Sequence, residues 1–586
     1  MYKINKELAE IFSELSAIYR FKGEEHRFRV TAYQKAATVL EHLQEDIRNY
    51  MTDDQLEEIT GIGESIAEKI REYVKTGKIK KYEKLKKEIP PDFIELLDVK
   101  GLGPQTLKTI WKELNITTRA ELVKALEDGR VEALEGFREK SVQNILEGLN
   151  EQEKADQRIL LADAIEIADW LVEQLSAQPG VIKVQVAGSI RRGRETIGDI
   201  DLLVSAEPQK RERIIDFFAE MEGVRKVIVK GDTKVSVVID QAHRQVDMRI
   251  IDDEEWGAAL LYFTGSKEHN VHLRTIAKDR DLKINEYGLY ESTGKKTRIA
   301  GKTEESIYKK LGLTWIPPEL RENTGEIEQS AQNKLPTLVT VDDIKGEFHT
   351  HSKWSDGLQT IEEMARYARD EMSYSYMVLT DHSKSSRIAG GLNEQRFLEQ
   401  FEEIDQINQK MGGHFIKKGV EVDILPDGKL DLEESLLEQM DWVAASIHSH
   451  FTRDNTDRIL AACESPFVNA IGHPSGRLIG KRKAYPLDIE KVIAKAVETG
   501  TALEINAQPQ RMDISGEWAK MAIEKGVMLV IGTDAHDLAN FKYMSQGVTT
   551  ARRGWCQREH IINTREWNGV EKFVTAKREA LGVKSS

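Results

Sequence analysis

The chain has 586 residues, 40% hydrophobic and 31% charged, with a formal net charge of -15 at pH 7; that length predicts about four domains and more than one sizeable core. No apolar run approaches the roughly 18 residues of a membrane span, and the start "MYKINKELAE" lacks the apolar core of a signal peptide, so a cytoplasmic protein with no membrane partner is expected. Cys463 and Cys556, the only cysteines, exclude a disulfide framework and a cysteine-built zinc site, whereas the acidic balance does not exclude nucleic acid, because binding depends on where positive charge is placed.

Residues 1 to about 150 show helical periodicity broken by glycine pairs in "ITGIGESIAEKI" (59–70), "VKGLGPQTLKTI" (99–110) and "LEGFREKSVQNI" (134–145). The first two share an apolar-x-Gly-apolar-Gly unit ahead of an amphipathic helix, which is an internal repeat. The glycines permit a tight turn, and the helix start behind it offers free backbone N–H groups to a phosphate oxygen without reference to base identity. The repeat resembles the helix-hairpin-helix motif that grips DNA backbones, with Arg138 replacing the second glycine in the third copy. A plain helical hairpin with a glycine C-cap is the alternative for any single copy. Repetition beside the lysine-rich run "KTGKIKKYEKLKK" (75–87) favours DNA.

Further on, "VIKVQVAG" alternates as a strand and ends at Gly188 and Ser189, "DIDLLV" is a second strand and "RQVDMRII" a third. Residues two apart on a strand face the same way, so Asp199 and Asp201 project side by side, and Asp247 on a neighbouring strand completes a three-carboxylate cluster. Such carboxylates repel one another unless divalent cations sit between them, and hard oxygen ligands suit Mg2+. Two such ions about 4 Å apart activate an attacking hydroxyl and neutralise a leaving pyrophosphate. Ser189, Arg192 and backbone N–H groups near Gly188 then hold a triphosphate. A surface turn with fortuitous charges is the competing reading of an Asp-x-Asp alone; the added Gly-Ser-x-Arg-Arg is far more specific.

"GSIRRGRETIGDID", "KGDTKVSV" (230–237), "QVDMRI" and "YFTGSKEHNVHLRTIAKDRDLKINEYGLY" (262–290), in that order, resemble the palm and thumb of family X DNA polymerases. The resemblance implies Asp199, Asp201 and Asp247 as catalytic metal ligands, with Gly188, Ser189 and Arg192 at the incoming triphosphate. It implies that Tyr262, Phe263 and Gly265 crowd the nucleotide sugar and favour deoxyribose, and that Asn270 and Arg274 touch the nascent base pair or template from the minor-groove side. Gln245 departs from the arginine that vertebrate repair members carry near the primer terminus. The front of the chain resembles the family's lyase domain, with Lys69 where repair polymerases keep a Schiff-base nucleophile. That role demands a lysine whose pKa is depressed by burial or neighbouring cations. Tyr33 and Lys35 match the family, while Phe28 and Ser65 replace a histidine and a lysine of the 5'-phosphate site. An ordinary lysine on a DNA-binding helix is therefore the competing reading of Lys69.

Residues 321–340, "RENTGEIEQSAQNKLPTLVT", are polar and read as an interdomain linker. From 341 onward "YMVLTDHS", "DWVAASIHS", "FVNAIGHP", "TALEINA" and "VMLVIGTDAH" alternate with helical stretches, which predicts parallel strands under covering helices, a barrel rather than an open sheet. At or just beyond nearly every strand end, where barrel enzymes place their chemistry, sits a His, Asp or Glu: His349, His351, Asp356, His382, Glu421, His448, His473, Asp534 and His536. One such histidine is more often a core residue; this many at successive strand ends is a ligand set. Mixed imidazole and carboxylate ligands suit Zn2+, Mn2+ or Fe2+. The segment resembles the polymerase and histidinol phosphatase (PHP) domain, which implies up to three ions. His349, His351, Glu421 and Asp534 would hold one, Glu421, His448 and His473 a second, and Asp356, His382 and His536 a third, with His450 competing for the place of His448. Arg477 and Arg511 are either phosphate contacts or rim salt bridges.

The expected architecture is multidomain α+β. A helical lyase-like domain (1–88) and helical fingers (89–152), both with helix-hairpin-helix turns, precede a mixed α/β nucleotidyltransferase palm (153–255) and a thumb (256–320). The linker (321–340) then leads to a distorted α/β barrel of PHP type (341–586). The expected function is that of a family X DNA polymerase for gap-filling repair, taking deoxynucleoside triphosphates and gapped or nicked DNA with Mg2+ in the palm. The barrel is expected to use Mn2+ or Zn2+ for 3'-5' exonuclease or phosphoesterase activity, with AP-site processing as a further role, in a monomer. Two readings compete with it: a nucleotidyltransferase on a non-DNA acceptor, and a DNA-end scaffold with a silent barrel.

Overall fold

Leu8, Phe12, Leu15 and Tyr19 recur at spacings of three and four along helix α1 (Lys3–Lys22) and are all buried. They pack on Tyr33, Ala36 and Leu40 of α2 (Arg27–His42), Tyr19 and Tyr33 stacking with ring centroids 5.6 Å apart. The computed structural model describes residues 3–583 apart from 44–45, 52–54, 60, 98, 100, 157, 240–243 and 293–296, so Thr60 and Lys100 of the glycine turns lie outside the described residues. The described chain forms two compact units, 1–156 with 387–389, and 157–386 with 390–586.

In the first unit the repeat is explicit. Ile62 N–H donates to the Ile59 carbonyl (2.9 Å) and Leu102 N–H to that of Val99 (3.0 Å), closing the same turn before α3 (Glu64–Thr76) and α4 (Pro104–Leu114). Gly61 (φ +106°) and Gly101 (φ +91°) take the left-handed backbone that the turn requires. The third copy keeps the turn, Phe137 N–H to Leu134 carbonyl at 3.2 Å with Gly136 at φ +91°. Arg138 is tolerated because the second glycine position, like Gly63 and Gly103, has extended rather than left-handed backbone in the other copies.

In the second unit, β1 (Val181–Val186), β2 (Ile200–Ala206), β3 (Val224–Lys230), β4 (Lys234–Ile239) and β5 (Arg244–Ile251) form one sheet in the order β1-β2-β5-β4-β3. The β2–β5 pair is parallel and the others antiparallel. Leu202, Val204, Val237, Val246 and Met248 on its inner face pack against Leu171 and Leu175 of α5 (Leu161–Ser176) and Phe218 of α6 (Arg211–Glu220). Next come α7 (Trp256–Thr264), α8 (Lys267–Lys278), a small antiparallel sheet of β6 (Leu282–Asn285), β7 (Gly288–Glu291) and β8 (Arg298–Ala300), and α9 (Glu304–Lys310).

The stretch 321–340, expected as a linker, is packed instead. Arg321 is fully buried and grips Glu304 through two N–H···O bonds of 2.7 and 3.1 Å, while Arg191 reaches the same carboxylate at 2.8 and 2.9 Å. Glu326 and Ile327 of α10 (Glu326–Ala331) are buried beside His269 and the thumb core, and Val339 enters the barrel core. Polar composition mimics a linker here because the charges are paired inside the protein. Glu304→Ala leaves the buried Arg321 unpaired and is expected to cost about 3–5 kcal/mol; an unchanged thermal unfolding midpoint for this unit would show that the pair is not needed.

The C-terminal sheet has seven parallel strands in chain order: β9 (Gly346–Glu347), β10 (Tyr376–Leu379), β11 (Ile416–Asp423), β12 (Trp442–Ser446), β13 (Ala470–Ile471), β14 (Ala502–Asn506) and β15 (Leu529–Gly532). Beyond β15, Ala535 exchanges hydrogen bonds with the chain after β9, His351 N–H to Ala535 carbonyl at 2.9 Å and Ala535 N–H to His349 carbonyl at 3.2 Å. These bonds bring the last strand back to the first, and the sheet is a nearly closed barrel.

Candidate functional site

β2 begins at Ile200, so Asp199 stands exposed in the bend just ahead of the strand rather than on it, and Asp201 is the strand's second residue. The parallel register sets Asp201 beside Asp247 of β5. Both are half-buried between the buried apolar pairs Ile200/Leu202 and Val246/Met248, as strand alternation dictates. Burial, then the charges of Asp199 and Asp247, push the Asp201 carboxyl up to about 7. Burial acts on Asp247 in the same sense, but Lys234 Nζ (2.6 Å), Gln245 Nε2 (2.8 Å) and Ser236 together hold it below the usual carboxylate range. Gln245 thus spends its side chain on Asp247. Gly188 (φ +60°) has to be glycine, since a Cβ there would collide with Asp201 Oδ2.

Ser189 and Arg192 lie on and just after the short helical turn Gly188–Arg191. Arg192 donates from Nη1 to the Thr264 carbonyl and from Nε to Glu322 (3.2 Å). A Cβ on Gly265 would come within 3.1 Å of Arg192 Nη1, so the two segments are close neighbours. Asn270 Nδ2 donates to the Tyr262 carbonyl (2.8 Å) and Arg274 Nε to the Asn270 carbonyl (3.2 Å). Phe263 packs edge-on to Tyr262 and stacks under the Arg249 guanidinium, 4.6 Å from its ring centre.

In the first unit Lys69 is only 7% exposed on α3. Its Nζ bonds the Ser65 hydroxyl (2.9 Å) and carbonyl and lies 5.8 Å from the Tyr33 ring centre. Burial, and next the Lys81 charge, lower its pKa. Lys35 is exposed, and Phe28 is 91% exposed.

At the barrel's C-terminal strand ends three sets of side chains each bring their ligand atoms within 4.8 Å of one another: His349, His351 and Glu421; His382, Glu421 and His448; and His351, Asp356, His382 and His536. Among the described residues no palm set is gathered so tightly. Asp534 Oδ1 lies 3.3 Å from His351 Nε2 and 3.8 Å from His349 Nε2. His473 Nε2 is 2.7 Å from Glu421 Oε1. The geometry therefore draws the three sets with His351, His382 and Glu421 each shared between two of them, a division that strand order alone does not reveal. His448 joins the cluster while His450 is exposed. His349 Nε2, both His351 nitrogens and His382 Nδ1, which face the cluster's carboxylates, are buried without a hydrogen-bond partner, the condition of groups that could hold metal. Burial, then the neighbouring His536 and His382, hold the His351 pKa down to about 3. For His448, burial opposes charging, but Glu421 and Asp423 outweigh it and carry it to about 10.

Three further carboxylates lie beside the cluster, and two of them bond its candidate ligands. Glu504 of β14 accepts from His349 Nδ1 (2.5 Å) and from the His473 N–H (2.6 Å). Asp423 accepts from His448 Nδ1 (2.7 Å), and Asp381 is bonded by Ser352, Ser355 and Gln400. Strand alternation carries the signal for one of them, since Asp423 lies two residues after Glu421 in "GVEVDI". Arg511 reaches Asp534 (3.3 Å), while Arg477 pairs with Glu195 (2.7 Å) and the Arg511 carbonyl (2.8 Å), so it is engaged away from the cluster.

Family models described as helix-hairpin-helix domain, SAM-like helix-hairpin-helix tandem, DNA polymerase beta palm and DNA polymerase beta thumb match residues 3–79, 93–151, 158–253 and 259–322. DNA polymerase/3'-5' exonuclease PolX of Bacillus subtilis (strain 168) is 38% identical over 576 residues, 97% of this chain and 99% of the relative. A protein of Thermoanaerobacter sp. (strain X514) named as a probable phosphatase is 30% identical over 248 residues, 40% of this chain and 96% of its own. DNA polymerase lambda of Rattus norvegicus is 26% identical over 54% of this chain and 56% of its own.

Proposed function

The chain belongs to the family X DNA polymerases that carry a C-terminal PHP region, and from that premise we propose how its residues divide the chemistry. It is a DNA polymerase with 3'-5' exonuclease activity, it binds DNA and nucleotides, and it depends on divalent metal. Helix-hairpin-helix, palm and thumb matches together favour DNA over a non-DNA acceptor.

In our reading Asp199, Asp201 and Asp247 hold the palm ions, Mg2+ by their all-oxygen character. The imidazole-rich barrel sets hold Mn2+ or Zn2+, a choice supported by the buried, partnerless histidine nitrogens. Such ions, when bound, supply charge neutralisation to the attacking and leaving oxygens. The protein's own part is positional. Ser189, Arg192 and the backbone at Gly188 orient the triphosphate; Tyr262, Phe263 and Gly265 crowd the sugar; Asn270 and Arg274 monitor the base pair from the minor groove. In the barrel, Glu504 and Asp423 fix the tautomers of His349 and His448, so that each presents Nε2 to the centre. The substrate is gapped DNA, processed by a monomer in the cytoplasm; no helix among the described residues is long and apolar enough to cross a membrane.

The observation that carries this reading is the side-by-side register of Asp201 and Asp247. Its experiment is extension and degradation of one 5'-labelled gapped duplex under Mg2+ and then Mn2+. Extension with deoxynucleotides and 3' shortening without them is expected; shortening in neither metal would leave the barrel as a silent scaffold. For Lys69, its lowered pKa leaves more free amine at neutral pH than an ordinary lysine has. Borohydride trapping on a 5'-deoxyribose phosphate end is expected in the wild type and lost in Lys69→Ala; undiminished trapping would remove Lys69 from the nucleophile role.

A further inference from the structure

The segment that carries Arg192 is held from the barrel side. Arg553 ends the barrel helix α11 (Met544–Arg553), and its Nη1 donates both to the Arg192 carbonyl (2.7 Å) and to Glu322 Oε1 (3.1 Å). That same oxygen accepts from Arg192 Nε at 3.2 Å and lies 3.7 Å from Arg194 Nη1. One carboxylate therefore serves three guanidiniums. The backbone between them is equally constrained: Gly193 (φ +63°) lies so close to Thr549 of α11 that a Cβ would run into its Cγ2. Two residues on, Glu195 is paired with Arg477 of the barrel (2.7 Å), and Ile197 is buried with Leu161 and the barrel's Met512. All four contacts fall within six residues of the chain that bears the triphosphate-binding arginine.

We propose that Arg553, acting through Glu322 and the Arg192 carbonyl, is a positioning residue for nucleotide binding in the palm, so that the nuclease barrel is also a structural part of the polymerase site. The inference rests on Arg192 being a triphosphate ligand. Arg192 and Arg553 side chains are 14% and 15% exposed, and Glu322 is 21% exposed. The pairs are thus sheltered enough from solvent to fix a rotamer, yet open enough for a phosphate to share Arg192. Arg553 touches neither substrate nor barrel ligands. Its loss frees Glu322 to follow Arg192 and removes the tether on the Arg192 backbone. The triphosphate is then held less firmly in ground and transition states alike, a loss of uniform binding that falls on KM rather than kcat.

The test is steady-state single-nucleotide insertion on a gapped duplex, with 3' trimming of the same duplex measured without nucleotide. Arg553→Ala is expected to raise KM for the nucleotide about tenfold, with kcat and trimming within about twofold of wild type. Arg553→Lys, which keeps a donor to both oxygens, should restore most of the loss. An unchanged KM, or a parallel fall of kcat and trimming that Arg553→Lys does not rescue, would overturn the proposal. Glu322→Gln provides a second variant if Arg553→Ala does not fold: it weakens the bridge without emptying it, a smaller rise in KM is expected, and no rise counts against the bridge. Arg192→Ala separates the two levels of the argument. If KM is unmoved there as well, the triphosphate assignment itself fails; if only Arg553→Ala is silent, the barrel's part in it fails.

Discussion

Asp201→Ala is expected to lower nucleotide addition by about a thousandfold or more while 3' trimming stays within about twofold of wild type. Asp201 shares register with Asp247 and is coupled electrostatically to both other palm carboxylates. Removing it takes away the most buried of the three carboxylates that would hold palm ions, and no neighbouring side chain replaces it: Lys234 is a cation, and Gln245 is already bonded to Asp247. The fold should tolerate the change, because a carboxylate with a pKa near 7 is not stabilising where it stands. Primer extension and trimming by one preparation check it. Loss of both activities in a folded variant would refute the independence of the two sites.

His349→Ala is expected to do the converse, reducing trimming by at least about a hundredfold and leaving extension near wild type. His349 donates from Nδ1 to the buried Glu504 and turns a partnerless Nε2 towards Glu421 and Asp534. Truncation removes a proposed ligand and leaves Glu504 without its principal side-chain partner, so a modest loss of barrel stability should accompany the loss of activity. Persistent Mn2+-dependent exonuclease would rule out the ligand assignment. Metal content gives a readout that does not depend on catalysis: the variant should retain less transition metal than wild type after gel filtration.

Much of this is legible in the sequence, and the reason is local periodicity. Alternation on β2 and β5 exposed Asp201 and Asp247, and short strands each followed by His, Asp or Glu marked the barrel mouth. What escaped depends on contacts between segments far apart in sequence. Asp199 reads as a strand residue, but the strand starts one position later. The polar stretch 321–340 looks like a linker because composition does not report that Arg321 is buried against Glu304, or Glu326 against His269. Glu504 sits in "TALEINA" like any strand glutamate, and only closure of the barrel brings it to His349. Arg477, read as a phosphate contact or a rim pair, is a pair, and its partner Glu195 is 282 residues away.

Diffraction from crystals soaked in Mn2+, recorded where manganese scatters anomalously, tests the two-centre account most directly. The account predicts one group of peaks among Asp199, Asp201 and Asp247 and a separate group among His349, His351, His382 and Glu421. Peaks at only one of these places, or at neither in a well-ordered crystal, would contradict it.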